Sequence, residues 1–236
     1  MADWILGIDG CPGGWVGIGM KAKGGKPRAM VAEAIATLVD AFPKAVMVGV
    51  DMPIGLTDQG PRECDQLARE RLGRPQAASV FAAPIRPALD AASQKEASRI
   101  TRAAGNPGVS IQAWNIFGRV RELDALLAER EDLKDRVIEV HPELSFKALN
   151  KKQSLVASKH RLEGIYQRRH LLAGKFGMEA LQAAVEQLAG NRLGEDDMLD
   201  AFAVLWSARR HARGKGKCLP KAPPADARGL PMRICF

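Results

Sequence analysis

The stretch that decides the fold is Trp4-Ile5-Leu6-Gly7-Ile8-Asp9-Gly10-Cys11-Pro12-Gly13-Gly14-Trp15, near the N-terminus. Its first five residues are an apolar run typical of a buried strand, and the run ends in Asp9. Glycine and proline then predict a tight turn, after which a second apolar run from Trp15 to Met20 indicates the return strand of a hairpin. An aspartate here is either a metal ligand or a residue whose side chain caps the turn. This one stretch leaves both roles open.

Two other apolar runs also end in acids. Residues 46–50 form a strand-like run that is followed by Asp51 and stopped by Pro53. A β-branched run over residues 137–140 contains Glu139. Asp51 has the alternative role of ending a strand before a proline, but the recurrence of acids at strand ends favours a shared site.

A fourth acidic patch opens a helical stretch near the C-terminus. Asp197 and Asp200 are three residues apart and therefore share one helix face. Asp197 has the alternative role of a helix N-cap, whereas Asp200 lies in an otherwise apolar stretch that gives it no evident structural purpose. Converging carboxylates repel one another unless a cation lies among them. The four patches therefore predict a divalent-metal site, and oxygen-only ligands favour Mg²⁺ or Mn²⁺.

The charge of the whole chain is opposite to that of these patches. The 236 residues have a formal net charge of +8, and cations are concentrated from Lys147 to Lys175 and from Arg209 to Lys221. Such segments suit a polyanionic ligand and predict nucleic acid as the partner, with a solvated basic face as the alternative. Aromatic residues make up 5% of the chain, with one tyrosine, which argues against base-stacking platforms.

The sequence gives no indication of a membrane protein. No apolar run approaches the roughly 20 residues that are needed to span a bilayer, and the N-terminal residues do not resemble a signal peptide. We therefore expect a cytoplasmic protein without a membrane partner.

The predicted order of elements is three strands, a helix and a fourth strand, followed by mostly helical sequence. We expect strands near 4–10, 14–20, 28–33, 45–51 and 136–141, and helices near 34–42, 116–130, 143–149, 158–175, 178–188 and 195–212. The helical segment 61–130 is too long for a simple crossover and is predicted to be an insertion. Residues 1–213 are then a single domain. Residues 214–236 are a basic tail rich in proline and glycine, expected to be extended and partly disordered.

Several motifs carry a resemblance to a known family. They are IDGCPGGW at 8–15, GVDMPIGL at 49–56, RECD at 62–65, SVF at 79–81, IEVHPE at 138–143 and DDMLDA at 196–201. These resemble the motifs of the DUF429 family, whose members are described as predicted nucleases of the ribonuclease H fold. The resemblance extends to about residue 210. It implies an α/β fold with a ribonuclease H-like mixed five-stranded sheet flanked by helices, and a large helical insertion.

The last helix also looks like that of RuvC-type junction resolvases. In that comparison Asp9 and Asp51 correspond to the acids of the first and fourth strands, and Asp197 and Asp200 to the helix acids. Those resolvases usually carry glutamate on the fourth strand, so Asp51 is one methylene shorter. The resemblance implies phosphodiester hydrolysis by two metal ions about 3.5–4 Å apart. Asp9, Asp51 and Asp200 are the expected metal ligands, and Asp197 and Glu139 are further catalytic candidates.

Four residues are candidates for contacting the substrate. His141 suits general acid–base chemistry, although a histidine at a strand end is more often structural. Glu143 follows Pro142 and has an equally good role in the first turn of a helix. Lys159 and Arg168 are placed to reach a phosphate, with surface solvation as the alternative.

Two other function classes stay open. Actin-like and sugar-kinase-type phosphotransferases share this fold, but they need two such domains, and this chain has one copy of the motif. A ribonuclease H-like protein with incomplete metal ligation would bind nucleic acid or a protein partner without turnover. Since RuvC-type enzymes act in pairs, a homodimer is a further option, although no stretch of the sequence indicates a dimer seam. The choice between DNA, RNA and a small phosphodiester is also open.

Overall fold

A computed structural model describes residues 3–155 and 157–236. The chain divides into two compact units. Unit 1 comprises residues up to 51, residues 135–217 and residues 235–236, and unit 2 comprises residues 52–134 and 218–234. None of the helices that these described residues form is long and apolar enough to cross a membrane.

The secondary structure follows the predicted order. The strands are β1 (Trp4–Cys11), β2 (Gly14–Lys21), β3 (Arg28–Ala32), β4 (Ala45–Val50), β5 (Val137–Glu139), β6 (Cys218–Leu219) and β7 (Ile234–Cys235). The helices are α1 (Ile35–Ala41), α2 (Glu63–Leu72), α3 (Gln94–Ala103), α4 (Ile111–Glu129), α5 (Pro142–Leu149), α6 (Leu162–Phe176), α7 (Met178–Leu188) and α8 (Glu195–Ala212). Short 3-10 helices lie at Gln76–Ser79, Arg86–Ala88 and Glu131–Leu133.

Unit 1 is built on a mixed sheet with the strand order β3-β2-β1-β4-β5. The pairs β1/β2 and β2/β3 are antiparallel, as expected for a meander. The chain then crosses through α1 to β4, which runs parallel to β1, and β5 runs parallel to β4. This arrangement confirms the predicted ribonuclease H-like mixed five-stranded sheet flanked by helices.

Helix α8 packs against β1, β2 and β4. Its residues 198–205 are all buried, which explains why this stretch of the sequence is almost uniformly apolar. Two glycines allow the close approach. A Cβ atom on Gly7 of β1 would lie 2.3 Å from the backbone nitrogen of Leu205, and one on Gly49 of β4 would lie 2.8 Å from Cγ1 of Val204. The glycines therefore fix the depth at which α8 lies on the sheet.

Unit 2 contains α2, α3 and α4 and corresponds to the predicted helical insertion together with part of the tail. Helix α4 begins five residues before its predicted start, because Ser110 caps it by accepting a hydrogen bond from the Ala113 N–H. A small apolar cluster that includes Ile85, Ala97 and Phe117 forms a core.

The tail differs from the expected extended segment. Strands β6 and β7 pair with each other, and the backbone groups of Lys217 and Phe236 exchange two hydrogen bonds, of 2.8 and 2.9 Å. Cys235 forms a parallel bridge with Val140, just beyond β5, and both Cys235 and Phe236 are buried. Alternating apolar residues at 230, 232, 234 and 236 bury this segment in spite of its proline and glycine content.

Candidate active site

Strand β1 carries Asp9 two residues before its end at Cys11, ahead of a turn in which Gly13 and Gly14 both have positive φ. The Asp9 side chain is buried, and its Oδ1 atom accepts a hydrogen bond of 2.7 Å from the Gly10 N–H. This bond occupies Oδ1 with a contact to the next residue of the chain. Asp9 can therefore cap the turn and also belong to the site.

Asp51 directly follows β4 and lies beside Asp9. The parallel register pairs Ile8 with Val50, and the Asp51 N–H continues the ladder by donating to the Ile8 carbonyl at 2.9 Å. The two carboxyl groups interact directly, since Asp51 raises the pKa of Asp9 and a side-chain hydrogen bond with Asp9 lowers the pKa of Asp51. Adjacent parallel strands thus place their acids together, as the pattern of strand ends predicts.

Helix α8 supplies the third carboxylate, Asp200, which is 2% exposed. Its Oδ2 atom accepts a hydrogen bond of 2.6 Å from the Lys159 ammonium group. Its Oδ1 atom is also buried and has no hydrogen-bond partner among the described residues. A buried carboxylate oxygen without a donor is costly, so Asp200 has a free coordinating position.

Burial and neighbouring charges raise the pKa values of these three acids. Burial, followed by repulsion from Asp51 and Asp200, raises the pKa of Asp9 well above its ordinary value. Burial raises the pKa of Asp51 to about 7 and that of Asp200 to about 6, although Lys159 lowers both. Near neutral pH the metal-free site therefore holds protons that a divalent ion would displace.

Lys159 lies in the turn before α6 rather than in the helix that the sequence predicted from residue 158. Burial alone would lower its pKa, but Asp200, Asp9 and Asp51 together raise it above the ordinary value. Its ammonium group is also 3.8 Å from Asp196 Oδ2, and His160 Nδ1 is 3.5 Å from the same oxygen. No sequence pattern predicts a site role for Asp196 or His160. The only signal for His160 was its position next to Lys159.

Asp197 has a structural contact of its own. It is the third residue of α8, and its Oδ2 atom accepts a hydrogen bond of 2.8 Å from the Gly194 N–H. Its charge also raises the pKa of Asp9. Asp197 therefore secures the start of α8 and adds negative charge to the site.

Of the acids beyond β4, Glu139 is the last residue of β5 and is buried opposite Val50, which precedes Asp51. Glu143 is buried in the first turn of α5, and its charge raises the pKa values of Asp51 and Asp200. His141 precedes α5, and its carbonyl accepts a hydrogen bond of 3.1 Å from the Ser145 N–H. All three residues lie at the end of the sheet that carries Asp51.

Arg168 is placed differently from the expected phosphate contact. It is 2% exposed, and its guanidinium group donates a hydrogen bond of 2.5 Å to Glu143 and bonds of 3.2 Å to the carbonyls of Ala157 and Gly164. It also lies over the Phe146 ring. These contacts hold the guanidinium inside unit 1, where Arg168 is the partner of Glu143.

The sequence over residues 7–225 matches the family described as "Protein of unknown function (DUF429)". Comparison with curated proteins and with solved structures finds no match. The match covers nearly the whole chain and includes every acid of the site. The chain therefore belongs to the DUF429 family.

Proposed function

We propose that this protein is a divalent-metal-dependent nuclease that hydrolyses phosphodiester bonds of nucleic acid. The observation that carries the proposal is the convergence of three buried carboxylates, Asp9, Asp51 and Asp200, from two parallel strands and one helix. Groups with raised pKa values that meet in this way are more often functional than structural. The strand order supports the same reaction class by analogy of fold.

The donor set fits Mg²⁺ or Mn²⁺. All three groups offer carboxylate oxygens, which these hard cations prefer, and Asp200 Oδ1 has no hydrogen-bond partner among the described residues. We therefore propose Asp9, Asp51 and Asp200 as the metal ligands, with Asp197 and Glu139 as further candidates. Bound metal ions would activate a water molecule and stabilise the leaving oxygen.

Other residues of the site have roles that do not depend on direct coordination. Lys159 is bonded to Asp200 at 2.6 Å and is a third exposed, so its ammonium group is placed to donate to a substrate phosphate once a metal ion replaces it at Asp200. Arg168 holds Glu143 in place, and Asp197 holds the first turn of α8. Nucleic acid is the proposed substrate because the segment 147–175 carries eight lysines and arginines against the single acid Glu163.

The test compares the wild type with Asp51→Asn and Asp200→Asn. Mn²⁺ binding is measured by calorimetry, and cleavage is measured on labelled single-stranded, duplex and four-way-junction DNA and on RNA. We expect the wild type to bind Mn²⁺ and cleave at least one substrate. Each variant should lose metal affinity and show cleavage reduced by two orders of magnitude or more. Asp135→Asn makes the same chemical change at an exposed position of unit 1 and should behave as the wild type.

The outcomes separate the function classes. Absence of Mn²⁺ binding by the wild type contradicts the proposal. Metal binding without cleavage of any substrate would indicate a non-catalytic binding protein. Nucleotide binding together with phosphoryl transfer would indicate the phosphotransferase class.

A further inference from the structure

A row of exposed side chains lies along α6, close in sequence to Lys159. Leu162 and Tyr166 are 87% and 70% exposed, and His170 is exposed one turn further along. The rings of Tyr166 and His170 are roughly parallel, with an angle of 22° and centroids 6.4 Å apart. We call these three residues the α6 row.

The α6 row is on the face of the helix that points away from the core. Gly164, Arg168 and Leu172 are the buried residues of α6, and they alternate with the row at the same four-residue spacing. Single exposed apolar side chains are common on protein surfaces. Leucine, tyrosine and histidine at four-residue spacing lie on one face of the helix along two turns, and the rings of Tyr166 and His170 are neighbours there.

The charge around the α6 row favours a polyanion over a protein partner. Lys151, Lys152, His160 and Arg161 are exposed in the segment that leads into α6. A strand bound through its phosphates to this segment would present its bases to the adjacent helix. Aromatic faces stack on any base, which makes such surfaces tolerant of sequence.

The α6 row is also within reach of the candidate active site. Lys159 is bonded to Asp200, and Leu162 follows three residues later, a distance of at most about 11 Å between their Cα atoms. Tyr166 is one helical turn beyond, about 6 Å further. One bound strand can therefore contact both the carboxylate site and the row.

We propose that Leu162, Tyr166 and His170 form a stacking platform for unpaired bases of a nucleic-acid strand whose phosphates lie along Lys151, Lys152, His160 and Arg161. The inference rests on the proposed function in identifying this strand as the substrate of the carboxylate site. It revises the expectation from composition, because the single tyrosine of the chain is exposed on a basic helix of the same unit as the site.

The experiment measures binding apart from cleavage. Affinities for a labelled oligothymidylate, the matching RNA and a duplex are measured by fluorescence anisotropy, once in EDTA and once in Ca²⁺. The wild type should bind the single strands more tightly than the duplex. Because base–aromatic stacking is worth about 1–3 kcal/mol per base, Tyr166→Ala should weaken single-strand binding by about tenfold or more. Tyr166→Phe keeps the ring and should stay within about twofold of the wild type.

Met178→Ala is the matched control, because Met178 is an exposed apolar residue at the start of α7 in the same unit. It should leave single-strand affinity unchanged, and Tyr166→Ala should leave duplex affinity unchanged because paired bases are not available for stacking. Circular dichroism and Mn²⁺ calorimetry should show that Tyr166→Ala is folded and binds metal as the wild type does.

Three results would overturn the inference. The first is absence of single-strand binding by the wild type in both EDTA and Ca²⁺, and the second is equal affinity of the wild type and Tyr166→Ala. The third is a dimer in light scattering that Tyr166→Ala dissociates, since the row is then a contact between two copies of the chain. Failure of the proposed function gives a different pattern: the strand binds through Tyr166, but the wild type neither binds Mn²⁺ nor cleaves.

Discussion

At the scale of the residue, Asp9, Asp51 and Asp200 are costly to ionise together. Burial is the largest cause of the raised pKa in each of the three, and repulsion from neighbouring carboxylates adds to it; for Asp51 that neighbour is Glu143. Lys159 offsets part of this cost, since its charge lowers all three pKa values. The metal-free protein therefore exists near neutral pH with its site partly protonated.

The first prediction concerns stability as a function of pH. The folded protein holds protons on these acids between about pH 4 and pH 7, where the unfolded chain has already lost them. The free energy of unfolding in EDTA should therefore fall as pH rises through about 6 and about 7, the pKa values of Asp200 and Asp51. Urea denaturation at several pH values tests this slope.

Mn²⁺ should reverse the slope, because metal binding becomes easier as protons leave the carboxylates. Asp51→Asn removes one of the titrating groups and should flatten the slope in EDTA, while Asp135→Asn should not. A free energy of unfolding that rises with pH in EDTA would show that the pKa values are not raised.

The second prediction concerns Lys159→Ala, which removes the ammonium group that compensates Asp200. Breaking a buried ion pair costs about 3–5 kcal/mol, but Lys159 is a third exposed, so we expect a loss of about 1–2 kcal/mol of stability in EDTA. The affinity for Mn²⁺ should increase several-fold, since no ammonium group competes for Asp200. Cleavage should be slower because a phosphate contact is lost.

Calorimetry, urea denaturation and cleavage assays measure these effects, and Lys23→Ala, at an exposed position of unit 1, is the control. A lower Mn²⁺ affinity in Lys159→Ala would mean that the ammonium group supports metal binding and does not compete with it.

Asp9, Asp51 and Asp200 can be predicted as site residues because each follows or interrupts an apolar run, and such a run is visible within a few neighbouring residues. The contact between Lys159 and Asp200 joins residues 41 positions apart, and no local pattern specifies it. The same holds for Arg168, whose pairing with Glu143 depends on how α5 and α6 pack. A basic residue that is buried cannot be told from an exposed one by charge alone.

At the scale of the element, the packing of α8 on the sheet depends on the absence of side chains at two strand positions. Residues Gly7 and Gly49 lie under Leu205 and Val204, within distances that no Cβ atom tolerates. Because Asp200 is on the same helix, the depth of α8 also sets the position of Asp200 relative to the acids of β1 and β4.

The third prediction is that Gly7→Ala destabilises unit 1 strongly. The added Cβ would lie 2.4 Å from the carbonyl oxygen of Ala201 as well as against Leu205, and both contacts are with helix backbone. Overpacking costs typically about 1–3 kcal/mol, and backbone contacts leave little room for relaxation, so we expect about 3 kcal/mol. Mn²⁺ affinity should fall as well. Urea denaturation and calorimetry measure the two effects.

Gly174→Ala is the control for this substitution. Gly174 is within α6, and no described atom lies within 4 Å of a Cβ added there. Alanine should stabilise the helix by about 0.5–1 kcal/mol at such a position. Equal stability of Gly7→Ala and the wild type would mean that α8 is free to shift on the sheet.

The strands and the order of elements are predictable because their hydrophobic periodicity is strong. Helix boundaries are less so. The polar residues 158–161 have no apolar periodicity of their own, and the helix predicted to include them begins at Leu162. Helix α4 begins earlier than its apolar pattern predicts, because Ser110 caps it directly before Ile111.

At the scale of the whole molecule, the last residues of the chain belong to both units. Cys235 and Phe236 are part of unit 1, and residues 218–234 are part of unit 2. In unit 2 the Asp226 carboxylate accepts a hydrogen bond of 3.0 Å from the Leu56 N–H and forms a very short ion pair with Arg86. Composition predicted an extended, partly disordered tail, because proline, glycine and lysine are more numerous there than the few apolar residues that pack against the rest of the chain.

The fourth prediction is that Phe236→Ala destabilises the protein by about 3 kcal/mol, since removing a fully buried aromatic ring leaves a cavity. Phe81→Ala makes the same change at a residue that is 42% exposed and should cost about 1 kcal/mol or less. Thermal and urea denaturation of both variants measure the difference. Similar small losses in the two would show that the end of the chain is not packed as described.

The contact between Cys235 and Val140 also has a consequence for biosynthesis. A ribosome adds residues in order, so a chain that has been made as far as residue 213 contains all the acids of the site but lacks the segment that bridges to the end of β5. The hydrogen bond between Asp226 and Leu56 joins residues 170 positions apart. Unit 2 therefore lacks this bond until the same late segment has been made. Each unit therefore gains these contacts only once residues 226–235 have been made, and until then the apolar surfaces that this segment covers are exposed to chaperones.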